Sequence, residues 1–177
     1  MSLTAARADA PPAGAPPSPP KPAPELADYM KDILGNWTCS TTFAAGAFGP
    51  GSPEVKATSK VKLSKENSLG GFFYKGEYAV AKSKTVPMAF TGIFYLGYEP
   101  VSKQLLNVSV DNTGAAYMGT GPLAGNVASW TGEGYMMGAK AKIRETMTKT
   151  DAKNVTHKFE VDMGKGFAPM GEDVCKK

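Results

Sequence analysis

Arginine is almost missing from this chain. Of its 20 basic residues only Arg7 and Arg144 are arginines, and the net charge is +4. Proteins that read nucleic acid rely on arginine for bidentate contacts to phosphate and guanine. The lysines here are spread along the chain, as at Lys56, Lys60, Lys62, Lys75, Lys140 and Lys158. That pattern suits solvated strand faces and argues against a nucleic-acid surface. Histidine occurs once, at His157, and cysteine twice, at Cys39 and Cys175. One histidine and two distant cysteines do not make a zinc site of any usual spacing. There is no Cys-x-x-Cys-His haem attachment motif. There is no Gly-x-Ser-x-Gly elbow of a serine hydrolase. "GTGPLAG" (119–125) lacks the Lys-Ser/Thr ending of a phosphate loop and no helix follows it, so it reads as a turn. No apolar run reaches the ~18 residues of a membrane-spanning helix.

What is present is a 177-residue chain with 42% apolar residues, 20 glycines and 14 prolines. That length suits one domain plus a tail. Residues 1–24, "MSLTAARADAPPAGAPPSPPKPAP", are dominated by Pro and Ala and have no aromatic residue. They cannot bury enough surface to offset their ordering entropy, so a disordered tail is expected. No apolar h-region of a signal peptide is present. "ARADA" at 6–10 resembles the small-residue end of a cleavage region, and "MSL" an added start. These features point to a periplasmic or secreted protein. An oxidising compartment allows a Cys39–Cys175 bond; two unpaired thiols are the open alternative.

Residues 24–34, "PELADYMKDIL", place Leu26, Tyr29, Met30, Ile33 and Leu34 on one helical face. Pro24 suits the first turn and Gly35 the stop, so a short docking helix is expected over 25–34. From Trp37 the period becomes two. In 54–65 Val55, Ala57, Val61 and Leu63 alternate with lysines and a threonine; in 154–163 Val155, His157, Phe159 and Val161 alternate with Thr156, Lys158 and Glu160. Each is a strand with one wet and one dry face. Further strands are read at 71–81, 88–98, 104–110, 115–120, 127–137 and 140–149. A weaker last strand is read at 166–175, where Pro169 suits an edge or a bulge. The intervening segments are short and rich in Gly, Pro, Asn and Asp. Sequential strands with tight reversals argue an antiparallel meander, and a long meander closes to remove its edges. The fold expected is all-β: an up-and-down antiparallel barrel of 8–10 strands, with residues 25–177 as a single domain. A β-sandwich would need longer crossovers.

The segments "ILGNWTCS", "LGGFFY", "GIFYLGYEPVSKQLLNVSVDNTGAAYMGTG", "WTGEG", "KIRETMTK" and "THKFEV" together resemble a bacterial family of unknown function, DUF1579, over about residues 25–163. The resemblance implies a calycin-like barrel, in the broad group of lipocalins, fatty-acid-binding proteins and nitrobindin-like haem barrels. Its shared theme is a small molecule held inside. It brings no catalytic residues.

Five residues are candidates for such a site: Tyr78, Tyr98, Trp130, Glu145 and His157. Glu145 lies between Ile143 and Met147, opposite Lys142 and Arg144. If that face points inward, Glu145 is a buried carboxylate that needs partners. Glu77, Asp111 and Glu133 are further strand carboxylates, and strand irregularities can turn them outward. Trp130 has small neighbours on its own face, which leaves room for its ring. His157 sits on a dry face, and the nitrobindin resemblance implies an axial haem ligand there. The reading adopted is a non-enzymatic barrel that binds a small apolar or amphipathic ligand, with no cofactor, no metal and no nucleic-acid partner. The alternatives are a haem barrel using His157, a hydrolase or isomerase using inward carboxylates, and a solid-core interaction protein.

Overall fold

Alternating wet and dry residues become alternating faces of one closed sheet. The computed structural model describes residues 21–136 and 138–177. After a short helix α1 (Pro24–Met30), ten strands follow in order: β1 (Gly35–Phe43), β2 (Val55–Glu66), β3 (Phe73–Val80), β4 (Phe90–Glu99) and β5 (Gln104–Asp111). The second half is β6 (Ala116–Ala124), β7 (Val127–Met136), β8 (Ala139–Asp151), β9 (Asn154–Asp162) and β10 (Ala168–Lys176). Each strand pairs antiparallel with its sequence neighbour, and β1 pairs with β10 to close the barrel. Closure leaves no strand edge for another chain to extend. Ten strands make an interior wider than the eight that side chains just fill.

The turns follow local chemistry. β6 and β7 meet in a two-residue hairpin with Ala124 opposite Val127. Gly125 there has φ 59°, which suits the first central position of a type II′ turn. β6 itself runs past the expected end at residue 120, through Pro122 to Ala124. The weak last strand is a full one: β10 pairs with both β9 and β1, and its register shifts between Pro169 and Gly171. Proline has no N–H for the ladder, and a bulge absorbs the defect.

The helix ends earlier than residue 34. Ile33 and Leu34 both donate backbone N–H to the Met30 carbonyl, so the last turn tightens. Trp37 Nε1 then donates to the Ile33 carbonyl at 2.8 Å, and Gly35 (φ 116°) makes the corner into β1. Leu26, Tyr29, Met30 and Ile33 are buried as their spacing predicts. Seven residues are too few for an independently stable helix, and three contacts hold this one down. Lys149 Nζ lies 3.0 Å from Asp32 Oδ2 and 5.5 Å from the Tyr29 ring centroid. Tyr29 donates to the Met147 carbonyl at 3.4 Å. Helix and Trp37 thus close one end of the barrel. Most of the tail expected at 1–24 lies outside the described residues, and α1 begins at Pro24, inside the boundary expected for that tail.

Cys39 and Cys175 stand directly opposite each other in the β1–β10 ladder and form a disulfide. The bond spans 136 residues of sequence and staples the seam where the first strand meets the last. Among the described residues, no helix is long and apolar enough to cross a membrane.

Candidate functional site

A cavity of about 760 Å3 occupies the barrel interior. Its floor is Ile33 and Trp37, and its middle wall includes Val61, Leu63, Leu96 and Ile143. At the other end Phe43, Phe48 and Phe90 form a ring cluster, with centroids 5.0–6.1 Å apart. Val55, Val80 and Val86 are buried against them as a second small core. The rim is therefore apolar on the side of β1–β4.

The inner wall of β6 and β7 is nearly bare. Gly119 and Gly121 on β6, and Gly132 and Gly134 on β7, take positions on the inward parity of Tyr117 and Trp130. With glycine at these four inner positions, groups on β5 and β8 reach each other across β6 and β7. Asn107 Nδ2 on β5 donates to Glu145 Oε2 on β8 at 2.8 Å. Trp130 Nε1, directly opposite Glu145 in the β7–β8 ladder, donates to the same oxygen. Glu145 is thus the partnered inward carboxylate that its strand position requires.

His157 continues this polar band. Its Nε2 lies 4.0 Å from Glu145 Oε2, and its Nδ1 lies 3.2 Å from Asp173 Oδ2. Thr41 Oγ1 lies 2.6 Å from Asp173 Oδ1 and 2.9 Å from Ser59 Oγ. A hydroxyl has one proton, so Thr41 donates to the carboxylate and the Ser59 hydroxyl fills its acceptor side. The band Asn107–Glu145–His157–Asp173–Thr41–Ser59 crosses a mostly apolar wall, with Ser109, Asp111, Asn112 and Thr113 as further polar lining. The side chains of His157, Glu145 and Asp173 keep 27%, 18% and 17% exposure, which an inward-facing group can owe only to the cavity. Burial acts most strongly on His157 and pulls its pKa down. The Asp173 hydrogen bond and the negative charges of Glu145 and Asp173 outweigh it, so the net shift is upward.

Two buried atoms beside the band have no partner among the described residues: Asn107 Oδ1 and the Tyr117 hydroxyl. Asn107 is 2% and Tyr117 6% exposed. Burial, with the Glu145 charge added, pushes the Tyr117 phenol upward.

Of the five candidates, four line the cavity: Tyr78, Trp130, Glu145 and His157. Tyr78 sits higher, its hydroxyl 3.4 Å from Asp111 Oδ2. Burial first, and then Asp111, raise its pKa. Tyr98 is not on the cavity wall. It shares the inward parity of Phe94 and Leu96, and packs into the core instead. Glu77 and Glu133 face outward, paired with Lys75 at 2.7 Å and Lys140 at 2.6 Å. Asp111 spends Oδ1 on Thr113 and on the Ala115 N–H, which makes "DNTG" a turn. Asp173, Asn107, Thr41 and Ser59 are the site residues that the sequence reading lacks. One signal points to Asp173: it lies two residues before Cys175, so a Cys39–Cys175 bond between inner faces turns Asp173 inward too. Among the described residues, no group of three or more His, Cys, Asp or Glu is arranged to hold a metal ion.

The crystal structure of Rv2717c from M. tuberculosis shares the barrel fold, with a TM-score of 0.66 at 14% identity, over 89% of this chain and 99% of that one. At that identity the likeness extends to the fold alone. No curated protein matches the chain. The family model described as "Protein of unknown function (DUF1579)" matches residues 24–169. Strands β1–β9 and every residue of the polar band except Asp173 lie inside that span, and the chain belongs to the DUF1579 family.

Proposed function

We propose that this barrel is a small-molecule binding protein whose ligand is mainly apolar and carries one polar group. The carrying observation is the cavity of about 760 Å3, walled mostly by apolar side chains and crossed by a connected polar band. Ligand sites commonly enclose ~300–1,000 Å3, with a few polar groups fixing orientation. Burial of apolar surface supplies the affinity, and the band sets which end of the ligand goes in first. The ligand-holding theme of calycin-like barrels points the same way by analogy of fold.

Native mass spectrometry of freshly purified protein tests this reading. A non-covalent adduct of small-molecule mass is expected. Val61→Trp, which fills the middle of the cavity, should remove it. A wild-type spectrum without adduct, together with no uptake of a neutral dye such as Nile red, would overturn the proposal.

A second reading is an acid–base enzyme of hydrolase or isomerase type. One observation favours it: the His157 imidazole stands between two carboxylates, Glu145 and Asp173. Such a group can take up and return a proton inside an apolar pocket. The haem alternative fits less well. Asp173 holds Nδ1, and Nε2, the nitrogen left for iron, faces Glu145. Adding hemin is expected to leave the Soret band of free hemin unshifted. The Cys39–Cys175 bond supports placement in an oxidising compartment, periplasmic or secreted. Thiol trapping of the protein in its native cells tests that placement.

A further inference from the structure

We propose that the ligand's polar end donates hydrogen bonds and carries no negative charge, an ammonium or hydroxyl head and not a carboxylate or phosphate. This inference rests on the binding reading above and names the chemistry of the group that meets the band.

The charges on the wall carry the argument. Glu145 and Asp173 bring two carboxylates against one imidazole. With His157 protonated, the three groups hold one negative charge in excess; with it neutral, two. Asp111 adds another carboxylate at the upper wall, beside Tyr78. Among the described residues, no lysine or arginine lines the cavity. Lys149, the inward-parity lysine of β8, is engaged below the floor by Asp32. An anionic head would enter a low-dielectric space facing like charge with no cation to meet it, which is costly.

The open hydrogen-bonding capacity argues in the same direction. Asn107 uses Nδ2 on Glu145, which leaves its carbonyl oxygen without a donor. The Tyr117 hydroxyl is also without a partner, and it can donate as well as accept. Glu145 Oε1 and its cavity-facing exposure offer a further acceptor. Among the described residues, Asn107 Oδ1 and Glu145 Oε1 are thus acceptors without a donor, and a buried acceptor without a donor is unfavourable. A head that donates satisfies the Asn107 and Glu145 oxygens, and the Tyr117 hydroxyl can turn to suit it. A carboxylate has no proton to give those two oxygens.

The test uses three ligands with the same ten-carbon chain: decylammonium, decanol and decanoate. Each competes with Nile red for the full-length protein, below its micelle-forming concentration. Decylammonium should displace the dye best, then decanol, with decanoate weaker than decylammonium by about tenfold or more, as expected for a lost charge-assisted hydrogen bond. Glu145→Gln should shrink that preference, and Asp173→Asn, at the other end of the band, is the independent companion variant. If decanoate binds as well as decylammonium, the inference is wrong while the binding reading stands. If neither Nile red nor any of the three binds, both fall together.

Discussion

His157 Nδ1 and Asp173 Oδ2 meet 3.2 Å apart across the β9–β10 ladder, where the two residues stand directly opposite each other. The pairing makes a pH dependence. Groups facing the imidazole are Asp173 from β10 and Glu145 from β8, with the Phe159 ring stacked at 5.7 Å. The folded-state pKa of His157 lies above its ordinary 6.5. A raised pKa means that the folded protein holds the proton more tightly than the unfolded chain does. The contribution is therefore full below pH 6.5 and is lost as the pH climbs through the higher folded value. Urea midpoints measured from pH 5 to 9 should fall over that window in the wild type. His157→Gln should flatten this part of the curve. A wild-type profile that rises across the same window contradicts the assignment.

Glu145 is the acceptor for both Asn107 Nδ2 and Trp130 Nε1. Glu145→Ala strands two buried donors on an apolar wall. Each orphaned group costs about 1–3 kcal/mol, partly offset by relief of the carboxylate's own desolvation. A net loss of ~2 kcal/mol is expected on that basis, read from chemical denaturation. The emission of Trp130 should shift as its indole loses a charged partner, while Trp37, bonded to the Ile33 carbonyl, is unaffected. Trp37→Phe in the same background isolates the Trp130 signal.

The same residues show what a sequence of this kind makes legible. Val155, His157, Phe159 and Val161 sit on one clean period-two face, so the inward His157 follows from pattern alone. Glu145 between Ile143 and Met147 follows in the same way. Asn107 does not, because β5 inverts the usual rule. Its outward residues Val108 and Val110 are apolar and exposed, while inward Asn107, Ser109 and Asp111 are polar. A polar inner face against an apolar outer one hides its orientation from a hydrophobicity pattern. Tyr98 shows the opposite limit. Its inward parity was readable, but its height along the barrel, below the cavity, depends on where the helix closes the end. Glu77 and Glu133 lie on the outward parity of their strands and pair there with lysines.

The Cys39–Cys175 bond joins strands 136 residues apart. In the chain-entropy description, a loop of that size restrains the unfolded state by roughly 5 kcal/mol, and measured losses commonly run ~2–5 kcal/mol. The double variant Cys39→Ser, Cys175→Ser should unfold at clearly lower denaturant. The other residue pairs of the β1–β10 seam remain, and β1 still pairs with β2 along its whole length. The folded variant should therefore keep its Nile red uptake. Unchanged stability under reducing and oxidising conditions would show that the bond does not restrain the chain.

Two inner-face glycines separate packing from backbone effects. Gly76 on β3 stands opposite Phe94 on β4. A methyl group added there would overlap the Phe94 ring, a side chain that can turn aside. The nearest open space for that ring is the cavity it already lines. Gly76→Ala should fold with a loss of about 1–3 kcal/mol from overpacking, and take up Nile red more weakly. Gly132 on β7 differs. A methyl there would run into the Met118 carbonyl and the Gly119 backbone, which no rotamer change can move. Gly132→Ala should therefore be the more destabilising of the two, because the β6–β7 ladder itself must shift. Urea midpoints and dye uptake measured on both variants check this ordering. The reverse ordering would mean that the Phe94 ring is held as rigidly as the backbone, and that the cavity cannot yield to it.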